Sequence, residues 1–241
     1  LVKFNKKQSL LVLKESFYTF ERYKISFCFI GIQLKVATRL AATMSGKTVL
    51  RPLVICGPSG SGKSTLLRLL FEEFPNTFGF SVSHTTRSPR PLEKDGVDYH
   101  FVTKEKMDLL IAAGEFIETA CFTGNTYGTS KSAVRRVQDD GKICVLDIEI
   151  QGVEQIRRTD LNPVLIYNNP PSLKELERRL RQRNTETEET LLKRLESAKK
   201  EIEYGLIPGN FHIIIENDDI TTAYKKFRDF IVEKYQMSQS N

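Results

Sequence analysis

The residue types best suited to chemistry stand in one short run, Gly57-Pro58-Ser59-Gly60-Ser61-Gly62-Lys63-Ser64. The run fits G-x-x-x-x-G-K-[ST] and lies between an apolar stretch and a helical pattern, the setting in which a phosphate-binding loop forms. Glycines at 57, 60 and 62 permit positive φ, so successive N–H groups can turn inward around an anion. The start of the following helix adds its partial positive charge. Lys63 supplies a mobile cation for β- and γ-phosphate oxygens, and the Ser64 hydroxyl is placed to ligate Mg²⁺. The plain alternative is a Gly/Ser-rich turn that binds nothing.

An acid is expected beside such a loop. Ile143-Cys144-Val145-Leu146-Asp147 ends an apolar run on a carboxylate, and Glu149 follows two residues later. The carboxyl ends of parallel strands face the ligand crevice, which places Asp147 near phosphates and metal. A helix-capping role is the alternative for Asp147. Two arginine clusters complete the set. Arg87 and Arg90 sit in the Pro-stiffened run Thr86–Pro91, while Arg179 and Arg183 lie four apart with Arg194 beyond the polar turn Asn184–Glu188. Arginine's planar fork suits phosphate oxygens better than an ammonium does. Arg178 and Arg181 read as members of a solvated charged helix face. His84, His100 and His212 show neither metal-ligand nor nucleophile–base spacing and read as structural. Cys28, Cys56, Cys121 and Cys144 form no C-x-x-C pair, so neither a disulfide framework nor a zinc site is expected, which suits an intracellular enzyme.

These residues need a scaffold, and periodicity supplies one. Strands are expected at Leu53–Cys56, Phe78–Ser83, Asp98–Val102, Ile143–Ile148, Val164–Tyr167 and Phe211–Ile215. Helices are expected at Ser64–Phe74, Thr129–Asp139, Ser172–Arg183, Glu188–Tyr204 and Thr221–Tyr235. Thr185-Glu186-Thr187-Glu188 offers a capping box to the fourth helix. Alternation of strand and helix implies an α/β domain on a parallel sheet. The unbroken apolar run before Asp147 fits a strand covered on both faces.

The chain has 241 residues, 27% of them charged, with a net charge of +6. Residues 1–43 hold eight Lys/Arg and two acids, which leaves 28 Lys/Arg against 28 Asp/Glu from Met44 onward. The body is therefore neutral, and its bulk charge does not call for a nucleic-acid partner. No apolar stretch reaches the roughly 20 residues of a membrane-spanning helix. The first 43 residues keep three readings open: sequence upstream of a natural start at Met44, a transit peptide, or a structured interfacial helix.

From Met44 to about Lys234 the chain resembles guanylate kinases. The match rests on the Gly57–Ser64 loop, Phe80-Ser81-Val82-Ser83-His84-Thr85-Thr86-Arg87-Ser88-Pro89-Arg90 and Gly96-Val97-Asp98-Tyr99. It continues through Phe116-Ile117-Glu118, Tyr127-Gly128-Thr129, Leu146-Asp147-Ile148-Glu149 with Gln151-Gly152, and Arg183-Asn184-Thr185-Glu186-Thr187-Glu188. The resemblance implies a three-layer P-loop kinase over residues 44–241, with a GMP-binding insertion near 83–129 and a helical lid near 172–205. It implies the reaction ATP + GMP → ADP + GDP with Mg²⁺, in a cytoplasmic monomer, with mitochondrial targeting by residues 1–43 an open alternative.

By the same resemblance, ATP falls to Gly60, Ser61, Gly62, Lys63, Ser64, Thr65 and Asn217. GMP falls to Ser83, Arg87, Arg90, Tyr99, Glu118, Tyr127, Thr129, Asp147 and Glu149, with Ser83 and Glu118 reading the base. Lys63, Arg90, Arg183 and Arg194 would act in catalysis, and Ser64 and Asp147 would hold the metal. One departure stands out: the family usually carries a second Asp where this chain has Glu149. Two rival readings are a catalytically silent phosphoprotein-binding module and a kinase with another acceptor. The intact Lys63 and lid arginines oppose the first, and the complete GMP-side set opposes the second.

Overall fold

The computed structural model describes residues 50–122, 124–182 and 187–237. The expectations for residues 1–43, Arg183, Thr185 and Glu186 therefore lie outside the described residues.

A first set of elements runs β1 (Leu53–Cys56), α1 (Lys63–Glu73), β2 (Phe78–Phe80), β3 (His84–Thr85), β4 (His100–Phe101), α2 (Lys104–Ala112), β5 (Phe116–Phe122) and β6 (Asn125–Ser130). The second runs α3 (Lys131–Asp139), β7 (Ile143–Asp147), α4 (Ile150–Ile156), β8 (Val164–Asn169), α5 (Leu173–Gln182), α6 (Glu188–Gly205), β9 (Ile213–Glu216) and α7 (Ile220–Tyr235). Strands β2, β7, β1, β8 and β9 form one parallel sheet in that order. The chain therefore has the α/β architecture its pattern implied.

β1 sits at the centre and explains the layering. Its four side chains are wholly buried, and an extended chain sends alternate residues to opposite faces. Leu53 and Ile55 join Leu66, Leu67 and Leu70 of α1 and Phe227 and Ile231 of α7. Val54 and Cys56 join Val134 of α3 and Val153 and Ile156 of α4. Helices thus cover both faces, giving three layers, and each such apolar side chain contributes about 1.5–3 kcal/mol by burial. Cys56 and Cys144 are buried thiols in this core. His212 is structural as expected, its Nδ1 accepting from Leu165 N at 2.9 Å.

The second sheet, ordered β4-β3-β6-β5, differs most from the sequence expectation. The strand expected over Phe78–Ser83 ends at Phe80, and the chain crosses to this sheet at His84. The strand expected over Asp98–Val102 shortens to His100–Phe101. The antiparallel β5–β6 pair and helices α2 and α4 were not anticipated. Thr129 and Ser130 end β6 rather than begin a helix, because the Ser130 hydroxyl accepts from Ala133 N and caps α3. Helix α6 is capped by Thr187, whose hydroxyl accepts from Thr190 N.

Helix α4 ties the second sheet to the first. Gln155 accepts from Thr119 N at 3.0 Å and donates to Thr119 O at 2.6 Å, completing the open edge of β5 as a neighbouring strand would. Gln151 accepts from Cys121 N at 3.3 Å. Helices α5 and α6 pack on each other through Leu176, Leu180, Leu191 and Ala198.

Candidate active site

The loop between β1 and α1 adopts the conformation that its glycines allow. Gly57, Gly60 and Gly62 have φ of 145°, 93° and 97°. Helix α1 starts at Lys63 with no side-chain cap, whereas α2, α3, α6 and α7 are each capped by a Thr, Ser or Asp. Its leading N–H groups are thus not taken by a cap and can meet an anion. Lys63 Nζ donates to the carbonyl of Gly57 and lies 3.6 Å from Asp147 Oδ1. Register sets that pairing: β1 and β7 are neighbours, with Ile55 opposite Asp147.

One cavity of about 250 Å³ extends from this loop to the second sheet. It is lined at one end by Gly60, Gly62, Lys63 and Ser64, with Asp147 and Glu149 on its floor. Ser83, Arg87, Arg90, Tyr99, Glu118 and Tyr127 line the other end, and Arg194 reaches it from α6. The structure thus brings together most of the residues picked from sequence. Ser61, Thr65, Thr129 and Asn217 are not among the lining residues. Ser61 and Asn217 are buried behind the loop, with Asn217 Nδ2 donating to Ser61 O at 2.8 Å. Thr129 is buried opposite Glu118 in the β5–β6 register.

Electrostatics at the floor follow from packing. Burial alone would lower the pKa of Lys63, but Asp147 and Glu149 outweigh it and hold the ammonium protonated. Burial pushes Asp147 and Glu149 up from the usual carboxylate range, against the pull of Lys63. Glu118, only 4% exposed, is raised by burial, with Thr129 opposing. Its carboxylate is seated on Gly152 of α4, where an added Cβ would come within 2.5 Å of Oε2.

The arginines divide by task. Arg87 pairs bidentately with Glu93 at 2.9 and 3.0 Å, and its guanidinium lies 5.4 Å from the centre of the Tyr99 ring. Glu93 was missed from sequence, where nothing local marks it as a partner of Arg87. Arg194 donates to Ser59 Oγ at 3.0 Å and lies over Phe122 at 5.2 Å, a second partner not foreseen. Arg178 and Arg181 pair with Glu175, and with Glu177 and Glu188, as a solvated face should.

Three comparisons bear on this arrangement. The family model for guanylate kinase matches residues 49–234. The chain belongs to the guanylate kinase family. It is 56% identical over 190 residues to guanylate kinase of Sus scrofa, covering 79% of this chain and 96% of that one. Identity to the Homo sapiens guanylate kinase is 55% over 189 residues, covering 78% and 96%. Among solved structures, guanylate kinase from Anaplasma phagocytophilum superposes with a TM-score of 0.59 at 28% identity, covering 79% of this chain and 89% of that one. Of the residues that the resemblance singles out, Gly60, Gly62, Lys63, Ser64, Ser83, Arg87, Arg90, Tyr99, Glu118, Tyr127, Asp147, Glu149 and Arg194 line the cavity.

A second buried acid beside Glu118, Glu201 of α6, carries no role in the sequence reading. It is 8% exposed and within electrostatic reach of Glu149, Lys63 and Asp147. Burial and the neighbouring carboxylate push it up to about 8 from an ordinary 4.5. Between those values the unfolded chain has released this proton and the folded chain keeps it. Stability therefore falls as pH rises through the window and levels off above it. Glu201→Gln should abolish this contribution: its Tm relative to wild type should climb by several degrees from pH 5 to pH 8.5, at about 2–4 °C per kcal/mol. A Tm difference that is flat with pH contradicts the assignment.

Proposed function

We propose that residues 44–241 form a Mg²⁺-dependent kinase that transfers the γ-phosphoryl group of ATP to GMP, giving ADP and GDP. The observation that carries this reading is one cavity shared by a phosphate nest with Lys63 and by Glu118, Tyr99, Tyr127, Arg87 and Arg90. In it, Gly60, Gly62, Lys63, Ser64 and Thr65 hold the ATP phosphates, while Ser61 and Asn217 act from behind the loop. Ser83 and Glu118 read guanine, backed by Thr129, and the two arginines and two tyrosines hold the GMP phosphate. Asp147 and Glu149 close the floor.

GMP presents an oxygen that is already largely deprotonated at neutral pH, since the second pKa of a phosphate ester is near 6. No general base is required. The protein's contribution is alignment, charge and exclusion of water. Lys63 faces the β/γ end, Arg90 the acceptor phosphate, and Arg194 spans from the loop's Ser59 towards the space between them. The Ser64 hydroxyl and the Asp147 carboxylate, both on the cavity wall, form an oxygen-only set that fits a hard cation sharing its remaining ligands with phosphate and water. Bound there, Mg²⁺ would neutralise charge on the transferring group.

Arg194→Ala tests the lid contribution. We expect kcat to fall at least about tenfold while KM for GMP stays within about twofold, because the group acts when charge spreads in the transition state. A raised KM with normal kcat would mean that Arg194 binds the ground state instead. Arg183 takes the companion role in this reading. A monomer working in the cytoplasm is the simplest setting, and among the described residues no helix is long and apolar enough to cross a membrane. The functional reading itself is tested by ADP release against a panel of monophosphate acceptors.

A further inference from the structure

The phosphate-binding loop rests on a residue that neither the motif nor the cavity includes. Asn168, the fifth residue of β8, is wholly buried. Its Nδ2 donates to Ser61 O at 2.9 Å and to Ser61 Oγ at 3.1 Å. The amide orientation follows from chemistry: the Ser61 carbonyl can only accept, so the NH₂ end must face it. A second amide, Asn217 Nδ2, donates to the same carbonyl at 2.8 Å, and Arg179 Nη1 of α5 approaches it at 3.4 Å. The backbone of Asn168 also shapes the loop's other end, since a Cβ at Gly57 would overlap the Asn168 carbonyl oxygen.

Three donors on one carbonyl have a geometric consequence. The Ser61–Gly62 peptide is planar and trans, so its C=O and the Gly62 N–H point in opposite directions. Holding the oxygen back towards β8 and β9 aims the Gly62 N–H forward, and Gly62 lines the cavity. Gly62 can adopt the required φ of 97°, but glycine alone does not enforce it, because it populates both signs of φ about equally.

We propose that Asn168 is a positioning residue for phosphate binding: its buried amide fixes the Ser61 carbonyl and thereby presets the Gly62 N–H towards the nucleotide's phosphates. The proposal deepens the functional reading above, on which it rests for the identity of the anion. The role is distinct from catalysis, since Asn168 does not reach the cavity. It also differs from general core packing, because the contact is polar, directional and aimed at one peptide.

The test uses the full chain and ADP as the probe. Asn168→Leu keeps the side chain's approximate shape and removes both donors. Asn168→Asp keeps the shape and sets an acceptor against the Ser61 carbonyl. We expect calorimetric Kd for ADP to rise about tenfold in the first and further in the second, with KM for GMP within about twofold. In ¹H–¹⁵N spectra, the Gly62 amide shift on ADP addition should shrink in both variants. A merely structural role would lower Tm and leave Kd of the folded protein unchanged. Kd within twofold of wild type in cooperatively melting variants overturns the proposal, and Asn168→Ser, with no amide to donate, serves the same comparison if the leucine variant does not accumulate. Wild type that binds ADP but phosphorylates no GMP would overturn the functional reading while leaving this one intact.

Discussion

Glu118→Gln should erase most of the preference for GMP over AMP while leaving ATP binding nearly unchanged. Guanine presents two adjacent donors, N1–H and the N2 amine, which one ionised carboxylate can accept together. Adenine has an acceptor at N1 and no N2 amine, so the same carboxylate meets a lone pair and loses both bonds. Hydrogen bonds to a charged group contribute about 1.5–3 kcal/mol each, so two discriminate by roughly 3–6 kcal/mol, or about 10²–10⁴ in kcat/KM. The structure gives this carboxylate the setting that the argument needs. Glu118 is buried on β5, seated on Gly152 and opposite Thr129, so it cannot swing away to water. Burial favours its protonated form, but the guanine donors favour the ionised one. A glutamine keeps the size but turns one acceptor into a donor. An unchanged GMP/AMP ratio in the variant would remove Glu118 from base recognition.

Lys63→Met should fold and lose about 10²–10³ in kcat, the usual consequence of deleting one preorganised charge from a transition state. Lys63 is the cation nearest Asp147 on the cavity floor and is held by the loop's own carbonyls, so a transferring phosphoryl group meets it already in place. Methionine preserves the unbranched apolar stem of the side chain and removes the ammonium. It removes the Lys63 charge from beside Asp147 and Glu149, which raises their pKa values further. Retention of more than about a tenth of wild-type kcat in a folded variant, a change under roughly 1.4 kcal/mol, would contradict the role given to Lys63.

What could be read from the sequence divides along physical lines. The loop was legible because its chemistry is local: three glycines, a lysine and a serine within eight residues determine the nest without help from elsewhere. β1 was legible to the residue, and β7 nearly so, because strands buried on both faces are unbroken apolar runs. The β5–β6 pair was harder. Phe116–Phe122 mixes Glu118, Thr119 and Cys121 into a short strand, and Asn125–Ser130 is largely polar with a glycine, so neither carries a clean period of two. Its β5 edge is completed by the Gln151 and Gln155 side chains of α4, thirty or more residues away in the chain. Arg87, read from sequence as a GMP-phosphate ligand, lines the cavity, but its pairing with Glu93 depends on loop geometry. Asn168 and Glu201 escaped notice for the same reason. Each acts on residues far away in the chain, and an Asn near the end of an apolar strand or a Glu on a charged helix has no local signature.

Acceptor choice is decided by coupled ADP release from wild type with GMP, AMP, CMP and UMP. Rapid, GMP-dependent release is expected, with kcat/KM for GMP exceeding that for AMP by at least about 100-fold and the pyrimidine monophosphates no better than AMP. Comparable values for AMP and GMP, or ADP release that is indifferent to any added monophosphate, would contradict it.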